Sequence, residues 1–581
     1  MVNVKINGIP VEVIEGTTVL QAAKQVGVYI PTLCYHPDLT PFASCGMCVC
    51  KQENNHKMIR ACSTPVHEGL SVITDDPELF EVRKSILEMT LSTHPNSCLT
   101  CIRNGNCELQ TLAAQFGIRE QPFEPRVSEL PADTSSLSIV LDPHKCIKCG
   151  RCVQVCQELQ GVFALEFIGR GDGTVMSPAA QLKLNDSPCV RCGQCIVHCP
   201  VGAIYEKDET ADLRAAIADP NKVVAVQMAP SVRVGISEEF DLPVGTVSTG
   251  RLYAALRKIG VDVIFDTNFG ADLTILEEGS ELVKRLTTKG SVLPQFTSCC
   301  PGWVDYCEKF YPELNDNLST AKSPMMMQGS ITKTYYADAS KTDPAKIYSV
   351  ALMPCTAKKY EIKRNDTMKS SGYDDVDLVL TTREIARLFR ANGIDFAALC
   401  DEECDSPIGE YTGAGTIFGN TGGVMEAAVR TAFHLVTGDE LENIQIDAVR
   451  GMDGVRKGVV DMNGTKVRVA VVHGLANVKD ICEEVLAAKK ANEPAPYDFI
   501  EVMACRGGCI AGGGQPYGTD DKVRKERIAG LYNDDENSTF RKSHDNPSIK
   551  RIYKEFLDEP LSHKAHSLLH TTYTKRKLYN L

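Results

Sequence analysis

The sequence lacks a long apolar run, an export signal and an excess of basic residues. No apolar run approaches the roughly 18 residues that a membrane-spanning helix needs, so we expect no membrane span. The amino terminus lacks the basic and then apolar pattern of a secretion signal, and no twin-arginine pair lies near it. The net charge of −13 disfavours nucleic acid as a partner, because binding to phosphate needs a basic surface.

Cysteine, by contrast, is abundant, with 25 in 581 residues. In a secreted protein so many cysteines would indicate disulfides, but here they have the spacings of metal ligands. Together with the missing export signal, these spacings predict a cytoplasmic protein. The chain is too long for one hydrophobic core, which predicts several domains.

Two runs of four cysteines have the spacing of bacterial ferredoxins that hold two 4Fe–4S clusters. The runs are Cys146, Cys149, Cys152, Cys156 and Cys189, Cys192, Cys195, Cys199. In such proteins the first three thiolates of a run hold one cluster and the fourth reaches the other. We therefore expect Cys199 to complete the first cluster and Cys156 the second, in a ferredoxin-like domain at 137–208. Eight thiolates at this spacing disfavour zinc, and two such clusters indicate electron transfer.

Residues 1–80 have the pattern of a small β-rich module in which Asn7-Gly8 forms a hairpin turn. Four cysteines in it resemble the ligands of a plant-type 2Fe–2S cluster. They are Cys34, Cys45, Cys48 and Cys62. Ten residues separate Cys34 from Cys45 where plant-type ferredoxins have four, so a zinc site stays an alternative. Cys50 is left as a spare thiol.

Residues 81–125 have a helical pattern and contain His94-x3-Cys98-x2-Cys101-x5-Cys107. Three thiolates and one imidazole predict a 4Fe–4S cluster with a histidine ligand. A neutral imidazole in place of a thiolate would raise the reduction potential of that cluster. In the alternative, His94 caps or orients a ligand and the fourth ligand lies elsewhere.

From residue 209 onward, apolar strands alternate with helices. Val223–Met228, Ile347–Met353 and Val467–His473 have the continuous apolar character of buried strands. Helical stretches such as Ala271–Thr287 lie between them, which indicates α/β layers around parallel sheet. The predicted fold class is multidomain α+β and α/β. It comprises an N-terminal β-grasp ferredoxin-like module, a small helical cluster domain, a bacterial two-4Fe–4S ferredoxin-like domain and a large α/β domain at 209–581.

Three segments of the large domain carry closely spaced cysteines. They are Thr297-Ser-Cys-Cys-Pro-Gly-Trp303, Met353-Pro-Cys-Thr-Ala-Lys-Lys359 and Glu501-Val-Met-Ala-Cys-Arg-Gly-Gly-Cys-Ile-Ala-Gly-Gly-Gly-Gln-Pro516. Their glycines let the backbone approach a bulky cluster where side chains would clash. In this order the segments resemble the three signature motifs of iron-only (FeFe) hydrogenases. The whole chain resembles the long clostridial form of that family.

The resemblance implies that the large domain is catalytic and holds an H-cluster, a 4Fe–4S cube joined to a two-iron subsite with CO, CN and azadithiolate. The implied ligands are Cys300, Cys355, Cys505 and Cys509, of which Cys509 bridges to the subsite. Lys358 would hydrogen-bond one cyanide, as suits a cation facing an anionic ligand. The other implied contacts to the subsite are Ala229, Pro230, Ser231, Met353 and Met503.

The resemblance also implies a proton route that starts at Cys299, next to the ligand Cys300. Its members in order are Cys299, Glu278, Ser319, Glu281 and, at the surface, Arg285. Glu278, Glu281 and Arg285 fall at i, i+3 and i+7 of one predicted helix and so share a face. Without the motifs, such charges would more often form a solvated helix face.

These features together predict a hydrogenase that converts protons and electrons reversibly to H2, with three further 4Fe–4S clusters and one 2Fe–2S cluster as an electron relay. Two alternatives are a non-catalytic iron–sulfur electron-transfer subunit and an iron–sulfur sensor or assembly relative. Cys307, Cys400, Cys404 and Cys482 have no ligand pattern, and we expect them to be ordinary buried thiols.

The electron partner is left open between ferredoxin and NAD(H)-handling flavin or iron–sulfur subunits, including those of an electron-bifurcating complex. Gly413-x-Gly415-x-x-x-Gly419 is not the dinucleotide-binding fingerprint, so we expect the chain to bind no NAD itself. Hydrogenase maturation proteins are the other expected partners.

Overall fold

The computed structural model describes residues 1–441 and 444–580. The chain forms two compact units. The first contains Met1–Glu158, Phe163–Ser187 and His198–Tyr205, and the second contains Leu159–Val162, Pro188–Val197 and Glu206–Leu581. None of the helices in the described ranges has both the length and the apolar character that crossing a bilayer requires.

The first unit begins with a β-grasp module. The strands of the whole unit are β1 Val2–Ile6, β2 Ile9–Val13, β3 Val49–Gln52, β4 Met58–Arg60, β5 Ser71–Ile73, β6 Ile139–Leu141, β7 Glu166–Ile168, β8 Val175–Ser177 and β9 Ile204–Glu206. The last residue of β9, Glu206, lies in the second unit. The helices of the first unit are α1 Val19–Gln25, α2 Pro77–Ser92, α3 Glu108–Gln115 and α4 Arg151–Gln154.

The N-terminal sheet has the strand order β2-β1-β5-β3-β4, with β1 antiparallel to β2 and parallel to β5. Asn7 and Gly8 both have positive φ, as the predicted two-residue hairpin turn requires. Thr18 caps α1: its hydroxyl accepts from Gln21 N, and the Gln21 side chain accepts from Thr18 N at 2.9 Å. The sheet and α1 enclose an apolar core that includes Val4, Ile6 and the cysteines 48, 50 and 62.

The second unit contains most of the helices, although His198, the last residue of the first helix given below, lies in the first unit. They are α5 Gln194–His198, α6 Thr210–Ala218, α7 Val232–Gly235, α8 Thr249–Lys258, α9 Thr267–Thr287, α10 Pro301–Phe310, α11 Pro324–Ile331, α12 Ala337–Ala339, α13 Lys358–Glu361, α14 Thr382–Ala391, α15 Gly413–Ile417, α16 Gly423–Thr437, α17 Leu475–Ala491, α18 Asp521–Glu536, α19 Pro547–Ile552 and α20 His563–Leu569. Its strands are β10 Val223–Met228, β11 Val263–Asp266, β12 Gln295–Phe296, β13 Ile347–Met353, β14 Leu378–Thr381, β15 Val455–Met462, β16 Thr465–His473 and β17 Phe499–Met503.

Two four-stranded sheets organise this unit. The sheet β11-β10-β13-β14 is parallel throughout, and in the sheet β12-β17-β16-β15 only the β15–β16 pair is antiparallel. The buried strands β10, β13 and β14 carry apolar residues on both faces, as expected for parallel sheet covered by helices. The predicted strands at Val223–Met228 and Ile347–Met353 have the observed bounds, and the motif cysteines follow the carboxyl ends of β12, β13 and β17.

Arg430 is fully buried and joins α16 to α18. Its guanidinium donates to Glu426 at 2.6 Å and to both carboxylate oxygens of Asp535 at 3.0 Å. Arg430→Met keeps much of the side-chain volume but removes the cation that pairs with the buried carboxylates of Glu426 and Asp535. We therefore expect the free energy of unfolding to fall by about 3 kcal/mol. The shift in the denaturation midpoint measures this, with Lys522→Met at an exposed position of α18 as the control. Equal midpoints for the two variants would contradict the expectation.

Candidate active site and cluster sites

The four predicted 2Fe–2S ligands meet in the β-grasp module. The Cys34 thiol contacts those of Cys45 and Cys62, and the Cys48 thiol contacts that of Cys62. The contact with Cys62 lowers the pKa of Cys48 to about 7. Four thiols within reach of one another fit a binuclear cluster, which binds thiolates. Cys50 is buried and lies 3.5 Å from the Cys48 carbonyl, and burial raises its pKa to about 12, as suits a spare thiol.

The His94 set lies after α2, between that helix and the start of α3. His94 is buried, and its Nε2 has no hydrogen-bond partner among the described residues. Burial lowers the pKa of His94, so the neutral imidazole that a metal needs is favoured. Burial also raises the pKa of Cys107, and the neighbouring charge of Cys101 adds to that shift. An unpartnered, buried imidazole nitrogen is consistent with a ligand role.

The first ferredoxin-type cysteine set lies in the first unit and surrounds a small cavity. The cysteines that line it are Cys146, Cys149, Cys152 and Cys199. Burial raises the pKa of Cys146 to about 11. The lining therefore contains the ligand set predicted for the first cluster, including the distant Cys199.

The second ferredoxin-type set is divided in sequence between the two units, with Cys156 in the first unit and Cys189, Cys192 and Cys195 in the second. Within the second unit, the loop of Cys192 packs closely against two motif glycines. A Cβ at Gly513 would lie 2.5 Å from the Cys192 carbonyl oxygen, and one at Gly302 would lie 3.8 Å from the Cys192 Cβ. Larger residues at Gly513 would separate this loop from the third motif.

The three motifs of the large domain surround one cavity of about 70 Å³ in the second unit. Every predicted contact residue of the H-cluster subsite lines it: Ala229, Pro230, Ser231, Met353, Met503 and Lys358. Cys299, Cys300, Cys355 and Cys509 line the same cavity. The Ser231 hydroxyl is buried and has no hydrogen-bond partner among the described residues.

The four predicted H-cluster ligands are close enough to perturb one another. Burial raises the pKa of Cys355 to about 12, and the charge of Cys300 adds to this. Burial likewise raises the pKa of Cys505 and of Cys509, with contributions from the other two cysteines. Such a set is costly as free thiolates but suits coordination to iron, whose positive charge offsets the burial. The residues present therefore fit an iron–sulfur cube.

Gly508 lets the third motif turn between Cys505 and Cys509. Its φ is +100°, and a Cβ there would lie 2.7 Å from the backbone nitrogen of Thr421. Only glycine meets both conditions. The glycine-rich spacing predicted from the sequence thus has a local steric cause.

Lys358 lies at the amino end of α13 beside the cavity. Its Nζ lies 2.7 Å from a Glu361 carboxylate oxygen and 3.1 Å from the Cys299 carbonyl. Burial alone would lower the pKa of Lys358, but the Glu361 carboxylate raises it, so the side chain stays a cation. A buried ammonium at the cavity wall suits an anionic ligand.

Three of the predicted proton-route residues, Glu278, Glu281 and Arg285, lie on α9, and Cys299 and Ser319 come from later segments. Burial, followed by the charge of Glu278, raises the pKa of Cys299 well above its usual value. Burial, followed by the charge of Glu281, raises the pKa of Glu278 to about 8. The Ser319 hydroxyl and the Ser298 backbone lie near the Glu278 carboxyl group and oppose part of this rise. Cys299 and Glu278 are therefore both favoured in their protonated forms near neutral pH.

Glu281 connects the outer members of the route. Its Oε2 accepts from the Ser319 hydroxyl at 2.8 Å and from Thr320 N at 3.0 Å, and its Oε1 accepts from Arg285 at 2.7 Å. Arg285 also donates to the Leu318 carbonyl, and its side chain is only 13 % exposed. Arg285 is thus held by these hydrogen bonds but stays partly exposed, and its role as the surface end of the route stays a prediction.

Several residues near the site have no signal in the sequence. Thr267, Phe418 and Gly419 also line the cavity, although they lie outside the three motifs. His570 forms two hydrogen bonds. Its Nδ1 lies 2.7 Å from the Thr320 hydroxyl, and its Nε2 lies 3.0 Å from a Glu277 carboxylate oxygen. These contacts join distant parts of the chain, and neither spacing nor periodicity could have predicted them.

One expectation about the remaining cysteines is wrong. Cys307 and Cys482 are buried as expected, and Cys404 is partly buried, but Cys400 is exposed. Cys400 lies in the irregular segment between α14 and α15, where no core forms around it.

Family models match almost the whole chain. The model described as "Iron only hydrogenase large subunit, C-terminal domain" matches residues 222–513, which include all three motifs. NADP-reducing hydrogenase subunit HndD of Solidesulfovibrio fructosivorans is 45% identical over 99% of both chains. The chain belongs to the iron-only (FeFe) hydrogenase family. This hydrogenase also matches a model of an iron hydrogenase small subunit at 521–576. Three further models match the N-terminal part: a 2Fe-2S cluster binding domain at 1–77, the iron–sulfur binding region of NADH-ubiquinone oxidoreductase G at 83–122 and a 4Fe-4S dicluster domain at 145–203.

Two further relatives support the same conclusion. The hydrogenase is 40% identical to Iron hydrogenase 1 of Clostridium pasteurianum over 99% of this chain and 100% of that one. The solved structure of apo HydA1 from Chlamydomonas reinhardtii, a variant, is 42% identical, with a TM-score of 0.57 over 64% of this chain and 100% of that chain. The predicted family, fold class, enzyme class and iron–sulfur cofactors are thereby confirmed.

Proposed function

We propose that this hydrogenase forms and splits H2 in the cavity described above. Cys300, Cys355, Cys505 and Cys509 hold the H-cluster, and Cys299 exchanges protons with it. One observation supports the assignment most strongly. Cys299, a thiol that is not among the predicted ligands, lines the same cavity as the cysteines that fit the cluster. When bound, the H-cluster supplies the redox chemistry that combines two protons with two electrons.

The protein residues supply protons and exclude water. The Cys299 Sγ holds a proton at the cavity, and the Glu278 carboxyl group replaces it after transfer. The next proton moves through the Ser319 hydroxyl from the Glu281 carboxylate, and Arg285 orients that carboxylate. Met353 and Met503 close the cavity with soft, apolar side chains. Lys358 presents its charge to an anionic ligand of the subsite.

Electrons reach the cavity through the other clusters. We propose four functional parts: a 2Fe–2S module at 1–80, a His/Cys3 4Fe–4S domain at 81–125, a two-4Fe–4S domain at 137–208 and the catalytic domain at 209–581. The close packing of the Cys192 loop against Gly302 and Gly513 supports electron transfer to the H-cluster at this loop.

The electron partner follows from two arguments. HndD is a subunit of an NADP-reducing hydrogenase, and the similarity covers nearly all of both chains. The present chain lacks the dinucleotide fingerprint, so a partner subunit with flavin or iron–sulfur groups would handle NAD(P)(H). We therefore propose a cytoplasmic multisubunit complex that contains this chain, with ferredoxin as the alternative partner. Co-purification from the native source distinguishes a complex from a chain that works alone.

Activity is tested on protein produced together with hydrogenase maturation proteins. We expect H2 evolution with reduced viologen as the electron donor. The same preparation made without the maturation proteins should contain the other clusters but evolve no H2. Absence of H2 evolution from matured protein with full iron content would contradict the proposed function.

His94→Cys tests the histidine ligand. Because a thiolate adds negative charge where the imidazole is neutral, we expect the 4Fe–4S cluster to persist with a lower reduction potential. An EPR-monitored redox titration measures the potential, and iron analysis measures the cluster content. An unchanged potential would mean that the fourth ligand lies elsewhere.

A further inference from the structure

Two histidines and a glutamate converge in the second unit, away from the cavity and the cluster cysteines. They are His434 in the last turn of α16, Glu440 in the segment that follows, and His544 shortly before α19. One ring nitrogen of each histidine and one Glu440 carboxylate oxygen all lie within 4.8 Å of one another. Nothing in the proposed hydrogenase mechanism uses these side chains.

The individual contacts all involve the Glu440 carboxylate. Its Oε1 lies 2.9 Å from His434 Nδ1, and His544 Nε2 lies 3.4 Å from both Oε1 and Oε2. The two imidazole rings are parallel, at 6°, with 4.4 Å between their centroids. Two imidazoles and one carboxylate form a common ligand set of zinc sites that keep a fourth position open.

A second layer of side chains orients these groups. The Thr431 hydroxyl lies 3.1 Å from Nδ1 of His544, which directs Nε2 of that ring toward Glu440. Lys542 donates to Oε2 of Glu440, so Oε1 is the carboxylate oxygen without a lysine contact. Metal sites show this same pattern, because hydrogen bonds from outer residues fix the tautomer of a histidine ligand and the orientation of a carboxylate ligand.

We propose that His434 Nδ1, His544 Nε2 and Glu440 Oε1 form a binding site for a divalent metal ion of the zinc type. Nitrogen-rich sites of this kind prefer zinc, copper or nickel to magnesium or calcium. The ligands come from the region that matches the hydrogenase large subunit and from the region that matches the small subunit. A bound ion would therefore fasten the C-terminal region to α16 and the segment after it.

Zinc binding to the holoenzyme tests the site. The matured protein is dialysed to equilibrium against buffered free zinc, and zinc and iron are measured separately by mass spectrometry. We expect about one zinc per chain with no loss of iron. His434→Gln and Glu440→Gln should bind no zinc at the same free concentration. The matched control is His563→Gln, at an exposed histidine of α20, which should bind zinc as the wild type does.

A third variant tests the second layer. Thr431→Val removes the hydroxyl that orients His544, and we expect it to weaken zinc binding by roughly tenfold while leaving the stoichiometry unchanged. Zinc should also raise the melting temperature of the wild type and of His563→Gln, but not that of His434→Gln.

X-ray absorption at the zinc edge identifies the ligands. Nitrogen and oxygen neighbours at about 2.0 Å support the proposal. Sulfur neighbours, or zinc uptake accompanied by iron loss, would show that zinc displaces iron at the cysteines and would overturn it. Equal zinc binding by wild type and Glu440→Gln would overturn it as well.

Discussion

Replacing Cys299 with serine should lower H2 evolution by at least about 100-fold while all the clusters remain in place. Cys299 lines the cavity but has no predicted bond to the cluster, so the change removes a proton carrier and not a ligand. Serine keeps the size and polarity of the side chain, but a hydroxyl gives up its proton far less readily than a thiol. The rate of H2 evolution with reduced viologen measures the loss.

The matched control is Cys400→Ser, because Cys400 is an exposed thiol outside the cavity. It should evolve H2 at the wild-type rate. Iron analysis and the infrared bands of CO and CN establish that Cys299→Ser still carries its clusters. Near-full activity of Cys299→Ser would show that protons reach the site by another group.

Glu278→Gln should lower H2 evolution by about 100-fold as well, because the amide cannot take up and release a proton. Glu278 is only 1 % exposed, so no solvent can replace its carboxyl group as a proton carrier at that point. The substitution replaces a carboxyl group by an amide of the same shape, so the fold has little reason to change. Turnover in H2O and D2O measures the effect, since slower proton delivery should also enlarge the solvent isotope effect.

Glu278→Asp and Glu483→Gln serve as comparisons. Aspartate keeps a carboxyl group but places it about one methylene farther from Cys299, so an intermediate rate is expected. Glu483 is an exposed residue of α17, and its substitution should leave turnover unchanged. If Glu278→Gln matched Glu483→Gln in rate, the route through Glu278 would be wrong.

The sequence predicts a set of cluster ligands because the chemistry of such ligands is local. Cysteines with two residues between them can bind the same cluster only if the chain forms a tight loop. The spacing of Cys146, Cys149 and Cys152, or of Cys45 and Cys48, therefore predicts a cluster site directly. The strand before the second motif, Ile347–Met353, was equally visible, because strands buried on both faces are continuously apolar.

Other features depend on contacts between distant segments. Phe418 and Gly419 reach the cavity only because α15 and α16 pack against the motif loops. His570 lies far from Thr320 in the chain, and only the antiparallel bridge between Ala321 and His570 brings them together. The exposure of Cys400 likewise follows from an irregular segment whose course no periodicity gives.

The infrared spectrum of the matured protein tests the central claim most directly. That claim is that a diiron subsite with CO and CN ligands lies in the cavity bounded by Cys300, Cys355 and Cys509. The account predicts CO and CN stretching bands that are present after maturation and absent from protein made without the maturation proteins. Matured protein with full iron content and no such bands would contradict it.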